Sequence, residues 1–334
     1  MKQLNKLGIS HQWMQNHQLE SFDITSLIKN HQGKSINHLF ENQRVIENSM
    51  GQFLDIYWQD VDICCNINLS LSKVTLIQNL KTIYYIGKHK ELYFKKRGVN
   101  TIYDFRYMKR YRYSANELIS LIRKKDYRAL LKNPYIYDLD TSFCFKLKDF
   151  IFIDIETLDV FDSPIIMIGI GFFNPKFEIQ ILFARTIEEE IAICEHFKNE
   201  ILPLFKCFIT YNGKTFDIPY IANRFLYYYD MNPMISVNDT PYDDTNTIYH
   251  HIDLYQNSRR KYKNSCVKFT LTDIERDVLH VNRENTLPSN LVGFCYRKYL
   301  ENPLTYVGLV KACIEHNFWD IYSMPLLFEK LLTD

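Results

Sequence analysis

A chain of 334 residues with 46% hydrophobic and 15% aromatic residues can bury the core of a full-sized domain plus a smaller one, which excludes a disordered protein. The formal net charge of +1 hides an asymmetry, because residues 81–132 carry fifteen Lys and Arg against four acids (Glu91, Asp104, Glu117, Asp126) and leave the remainder net acidic. This points to a polyanion-facing module beside an acid-bearing one. The eight cysteines are scattered, with no Cys-x-x-Cys pair and no zinc-type His spacing, and read as reduced thiols. No apolar run resembles a signal peptide or approaches a membrane span, so a cytoplasmic protein with no membrane partner is expected.

Taken in order, residues 1–69 are polar with short apolar patches and yield no function; Trp13 and Trp58 read as packing anchors. Residues 70–132 read as a basic, mainly helical region. An amphipathic segment, Leu71 to Leu80, leads to Ile86-Gly87-Lys88 and then to a helical pattern from Glu91 to Arg97. Gly98 stands where that helix stops, and Thr101 is a candidate N-cap for the next. This arrangement resembles a helix-hairpin-helix unit with one of its two usual glycines. In such a unit the hairpin around Gly87 offers N–H groups to a phosphate, while Lys88, Lys95, Lys96 and Arg97 add charge. A small basic domain packed on the main one is an equal alternative. Tyr107, Tyr111 and Tyr113, interleaved with Arg106, Lys109, Arg110 and Arg112, either stack bases or cover a core.

Asn133-Pro134 is a plausible boundary, and the domain after it is taken as residues 148–334. Phe150 to Thr157 (FIFIDIET) is short, apolar and β-branched or aromatic, as in a buried strand. Residues two apart on a strand share a face, so Asp154 and Glu156 project together. Two like charges on one face need a cation, and carboxylates suit Mg²⁺ or Mn²⁺. Ile165 to Phe173 and Phe177 to Phe183, joined at Asn174-Pro175-Lys176, continue an antiparallel meander. Gly169 and Gly171 lie inside a strand, which rules out a dinucleotide-binding turn. Thr186 and Glu189 spell a capping box for a helix reaching about Pro203. A strand from Cys207 to Tyr211 and a helix from Thr215 to Tyr229 follow, with Asp217 at the helix opening. The polar loop Asn238 to Asn246 precedes His250, His251 and Asp253, which invite a metal reading that no partner at fixed spacing supports; for Asp253 a structural role is favoured. Near the end, His316 and Asp320 share one face of a helix. Asp154, Glu156, Asp217 and Asp320 can therefore be assembled around two divalent ions, with His316 taking a proton from water.

These motifs, Asp154-x-Glu156, Asn212-x-x-x-Phe216-Asp217 and His316-x-x-x-Asp320, resemble in order the three exonuclease motifs of the DEDD, or DnaQ-like, 3′-5′ exonuclease superfamily. Within it the chain is most similar to the YprB-like branch, the mitomycin-repair exonuclease type. The similarity covers roughly residues 150–330, and Tyr211-Asn212-Gly213-Lys214, His251-Ile252-Asp253-Leu254 and Arg259-Arg260 add to it. The resemblance implies an α/β ribonuclease H-like fold, a mixed five-stranded sheet flanked by helices, preceded by the basic helical region. It implies a two-metal 3′-5′ exonuclease acting on nucleic acid, DNA before RNA, with a repair role and a helicase partner. By the same analogy Asp154 bridges the ions, Glu156 and Asp320 complete their coordination, and Asp217 acts directly or through water. In His-type members the histidine lies five residues before the last Asp; His316 lies four before it, the Tyr-type spacing, and Glu315 is a second candidate base, for which an exposed helix position is the favoured reading. Asn212 and Lys214 are candidate sugar and phosphate contacts, and Arg259 and Arg260 can guide the backbone. An RNA-directed exonuclease, a ribonuclease H or resolvase-like endonuclease, and a catalytically silent nucleic-acid-binding subunit are the rival expectations.

Overall fold

The computed structural model describes residues 24–235, 248–283 and 287–334; Trp13 and the loop Asn238 to Asn246 lie outside them. Among the described residues seven strands form one sheet in the order β1-β2-β5-β4-β3-β6-β7. They are β1 (Gln43–Asn48), β2 (Gly51–Val61), β3 (Phe150–Thr157), β4 (Ile165–Asn174), β5 (Lys176–Phe183), β6 (Cys207–Thr210) and β7 (His250–Asp253). The helices are α1 (Ile24–His31), α2 (Ser70–Gln78), α3 (Lys88–Lys95), α4 (Arg112–Lys124), α5 (Tyr127–Leu131), α6 (Glu190–His196), α7 (Asp217–Tyr229), α8 (Leu254–Tyr262), α9 (Leu271–Ile274), α10 (Val292–Glu301) and α11 (Pro303–Thr333).

The mixed sheet agrees with expectation, but its size does not: seven strands replace five. The two extra strands come from the polar N-terminal stretch. β1 and β2 form an antiparallel hairpin, and β2 pairs antiparallel with the edge of the meander at β5. Charge hides them in the sequence, because the core of β2 includes fully buried Asp55, whose carboxylate accepts from Arg44 Nε and Gln180 Nε2, both at 2.8 Å. A buried charge satisfied across strands is legible only after the strands have paired.

β3 sits centrally, antiparallel to β4 and parallel to β6. Its alternation divides the core. Ile151, Ile153 and Ile155 enter a cluster with Ile193, Phe197, Ile221 and Phe225 of the α6–α7 side, whereas Phe150 and Phe152 meet Ile321, Met324 and Phe328 of α11 on the opposite face. Asp154 and Glu156 continue the α11 face. Gly169 and Gly171 of β4 allow α11 to approach: a Cβ at Gly169 would collide with Asn317 Oδ1, and one at Gly171 would stand 2.6 Å from Ile321 Cγ2. They are packing glycines, in keeping with the rejected dinucleotide reading.

The Thr186 capping box does not form. Glu189 instead accepts from the Arg185 N–H at 2.7 Å and pairs with the Arg185 guanidinium. The helix follows a short 3₁₀ turn and begins at Glu190. The basic region encloses its own apolar cluster, including Leu76, Ile83, Ile86, Phe105, Ile119 and Ile122. Trp58 packs between Phe40 and Phe318. All eight cysteines are free thiols, and among the described residues no helix is long and apolar enough to cross a membrane.

Candidate active site

Four acids from three parts of the chain meet in one cleft of about 750 Å³ at the end of the central strand. Asp154 and Glu156 come from β3, Asp217 from the start of α7, and Asp320 from α11. Asn212, Arg259, Lys268 and Ser289 share the lining. Each acid is held by a distinct device. Asp154 stands opposite Gly169 in the sheet, and its Oδ2 accepts from Asn317 Nδ2 at 2.7 Å. Asp217 Oδ1 accepts from the Ile155 N–H at 3.0 Å, tying the opening of α7 to β3 between the other two acids. Asp320 accepts a hydrogen bond from Arg283, a buried guanidinium that also grips Glu275 at 2.5 and 2.7 Å.

His316 lies one helical turn before Asp320. Its Nε2 is 3.3 Å from Asp320 Oδ2, 3.8 Å from Glu156 Oε1 and 3.1 Å from Ser289 Oγ. Burial holds its pKa below the usual histidine value, opposed by the Asp320 charge, so it favours the neutral, proton-accepting form.

The carboxylates show the cost of assembly. Burial, followed by the neighbouring charges of Asp320 and Asp217, pushes Asp154 and Glu156 well above the ordinary carboxylate range. Asp217 is raised to about 7, chiefly by burial and against the hydrogen bond from Ile155. Among the described residues the four acids are faced by one buried guanidinium, that of Arg283, which Glu275 shares, so acid exceeds base in the site. Ligand atoms of Glu156, His316 and Asp320 fall within 4.8 Å of one another. The carboxylate oxygens of this group fit a hard divalent cation.

The loop between β6 and α7 is set by Asp253. This fully buried carboxylate accepts from the Asn212 and Lys214 N–H groups at 3.0 and 3.2 Å and caps α8 through the Tyr255 N–H. Asn212 itself adopts a left-handed φ of +68°, which asparagine tolerates better than most residues. His251 reaches Thr210 at 2.8 Å, and His250 lies between Thr141 and the Asp138 carbonyl, each 3.1 Å away. These hydrogen bonds tie the loop and the ends of β6 and β7 together.

The other predicted residues divide. Asn212 and Arg259 line the acid cleft. Lys214 and Arg260 instead converge on buried Asp138, at 2.5 and 3.3 Å. Gly87, Lys88, Lys95, Lys96 and Arg97 belong to α3 and its flanks and do not line the acid cleft. Lys95 pairs with Glu91 at 3.2 Å, and the Arg97 guanidinium lies 3.6 Å from the Tyr93 ring centroid.

Sequence reasoning missed Arg283, Glu275, Ser289 and Asp138. None belongs to a motif, and each acts through a partner distant in sequence. Only the surplus of acid over base in the assembled motifs signals that an internal cation such as Arg283 is needed.

Two comparisons with known proteins bear on the site. The family described as RNase_H_2, of the RNase_H superfamily, matches residues 151–332. A curated protein of Bacillus subtilis (strain 168), named only as uncharacterized protein YprB, is 25% identical over 196 residues. That similarity covers 54% of this chain and 44% of the relative, so the match spans less than half the relative's length.

Proposed function

Because the chain belongs to the RNase_H superfamily, whose members typically hydrolyse nucleic acids, we propose that it is a divalent-metal-dependent 3′-5′ exonuclease with DNA as its substrate. The observation that carries this reading is the convergence of Asp154, Glu156, Asp217 and Asp320 with His316 around one open cleft.

Asp154, Glu156 and Asp320 would hold Mg²⁺ or Mn²⁺, with Asp217 beside them. When bound, such ions would supply positive charge against the negative charge that develops on the attacked phosphate. The chain's own residues do the rest. His316, neutral and buried, accepts the proton of the attacking water at Nε2, and the adjacent Asp320 stabilises the imidazolium formed. Ser289 Oγ stands 3.1 Å from the same ring nitrogen. The water oxygen bonds to phosphorus as the bond to the 3′ oxygen of the preceding nucleotide breaks, releasing a nucleoside 5′-monophosphate. Arg259 and Lys268 in the cleft wall suit the phosphates of the bound strand. Gly87, Lys88, Lys95, Lys96 and Arg97 extend that contact along the basic region. A repair role, a helicase partner and a cytoplasmic location complete the proposal and rest on the family resemblance and the sequence.

Digestion of 5′-labelled DNA and RNA, single- and double-stranded, with Mn²⁺, Mg²⁺ or chelator, tests it. Wild type should produce a ladder shortening from the 3′ end; chelator and Asp154→Ala should each remove it, and His316→Ala should slow it by about 10²-fold or more. Preference for RNA would replace DNA as the substrate. Binding without cleavage under every condition would leave a silent nucleic-acid-binding subunit.

A further inference from the structure

The basic region contains a second cleft, of about 770 Å³, whose walls are the hairpin before α3, the start of α4 and the turn after α5. Four tyrosines line it with their rings in solvent: Tyr84 is 68% exposed, Tyr85 63%, Tyr113 84% and Tyr135 40%. The local sequence explains their direction. In Ile83-Tyr84-Tyr85-Ile86 both isoleucines are buried in the region's own core, so the tyrosines between them point outward. The Tyr84 and Tyr85 ring centroids lie 4.1 Å apart. Tyr85 holds this place at a φ of +68°, a conformation uncommon for an aromatic residue. The core closes without these rings, so packing alone does not account for them.

The surrounding charge selects the occupant. Lys81 stands 5.8 Å from the Tyr135 ring centroid and Arg110 5.9 Å from that of Tyr85, while among the described residues Glu117 is the single acid lining the cleft. Residues 81–132 carry an excess of eleven positive charges. Exposed aromatic faces interleaved with cations match a nucleic-acid strand whose bases are free to stack, and paired bases cannot offer their faces in this way.

We infer that the Tyr84–Tyr85–Tyr113–Tyr135 cleft binds the unpaired bases of single-stranded nucleic acid at a site separate from the acid cleft. The inference deepens the nuclease reading and rests on it, since it names the strand state on which the enzyme is held.

Fluorescence anisotropy with a labelled oligothymidylate and with a blunt duplex, both in chelator so that nothing is cut, tests the inference independently of turnover. Tyr84→Ala and Tyr113→Ala should each weaken single-strand binding about fivefold or more, while Tyr→Phe at either position keeps the ring and restores affinity. Salt dependence should keep its slope, because no cation is removed. Tyr107→Ala, equally exposed but outside the cleft, should bind as wild type does. Alanine variants that bind the single strand as tightly as wild type would overturn the inference, as would wild type binding duplex alone, and would leave the cleft to a protein partner. Tyrosine-dependent binding by a wild type that cuts nothing with metal present would uphold the site and reject the nuclease reading.

Discussion

Asp217→Asn should stabilise the metal-free protein near neutral pH while weakening its response to divalent ions. Asp217 is buried among the other site acids, and its pKa rises from 3.8 to about 7. Between pH 4 and 7 the folded protein therefore retains a proton that the unfolded chain has released, so stability falls as pH rises through this window. A shift of this size corresponds to at most about 4 kcal/mol. Asparagine retains an Oδ1 able to accept from the Ile155 N–H and carries no charge. Loss of a favourable anion at the α7 N-terminus returns up to about 1 kcal/mol. The net gain should be about 1–3 kcal/mol above pH 7, shrinking towards zero near pH 4. Urea unfolding of both proteins in chelator, from pH 4 to 8, reads this difference, to which relief of the Asp217 charge on Asp154 and Glu156 adds in the same direction. Added Mn²⁺ should stabilise wild type more than the variant. A variant less stable than wild type at pH 8 in chelator would refute the argument that the acids repel one another and await a cation.

Two further substitutions examine how the site is held. Gly169→Ala places a methyl group against Asn317, the residue that donates to Asp154, and should cost about 1–3 kcal/mol together with most of the nuclease activity. Thermal unfolding and the digestion assay check it; normal stability and turnover would show that α11 shifts freely. Asp138→Ala leaves the half-exposed cations Lys214 and Arg260 to water and deprives the buried Asn257 Nδ2 and Asp253 N–H of their shared acceptor, and should destabilise the chain by about 1–3 kcal/mol. Denaturant unfolding measures the loss, and a change below about 1 kcal/mol would show that the Asp138 network contributes little.

The central strand, the meander beyond it, the helix carrying Asp217 and the helix carrying His316 and Asp320 were all readable locally. Periodicity, turn residues and acid spacing are properties of short segments, and a buried strand ending in Asp-x-Glu declares its chemistry without its neighbours. The β1–β2 hairpin was not readable, because Asp55 looks like a surface residue until Arg44 and Gln180 are placed beside it. Glu189 had two available uses, and Arg185 rather than the capping box took it.

The residue types and order of the acids were therefore determined by the sequence alone. Tertiary structure decided which acids meet, which histidine nitrogen faces them, and that Arg283 offsets part of their charge. It also separated Lys214 from Arg259, sending the first to Asp138 and the second to the cleft. The physical reason is range: backbone periodicity acts over a few residues, whereas electrostatic compensation depends on which distant groups folding brings within a few ångströms.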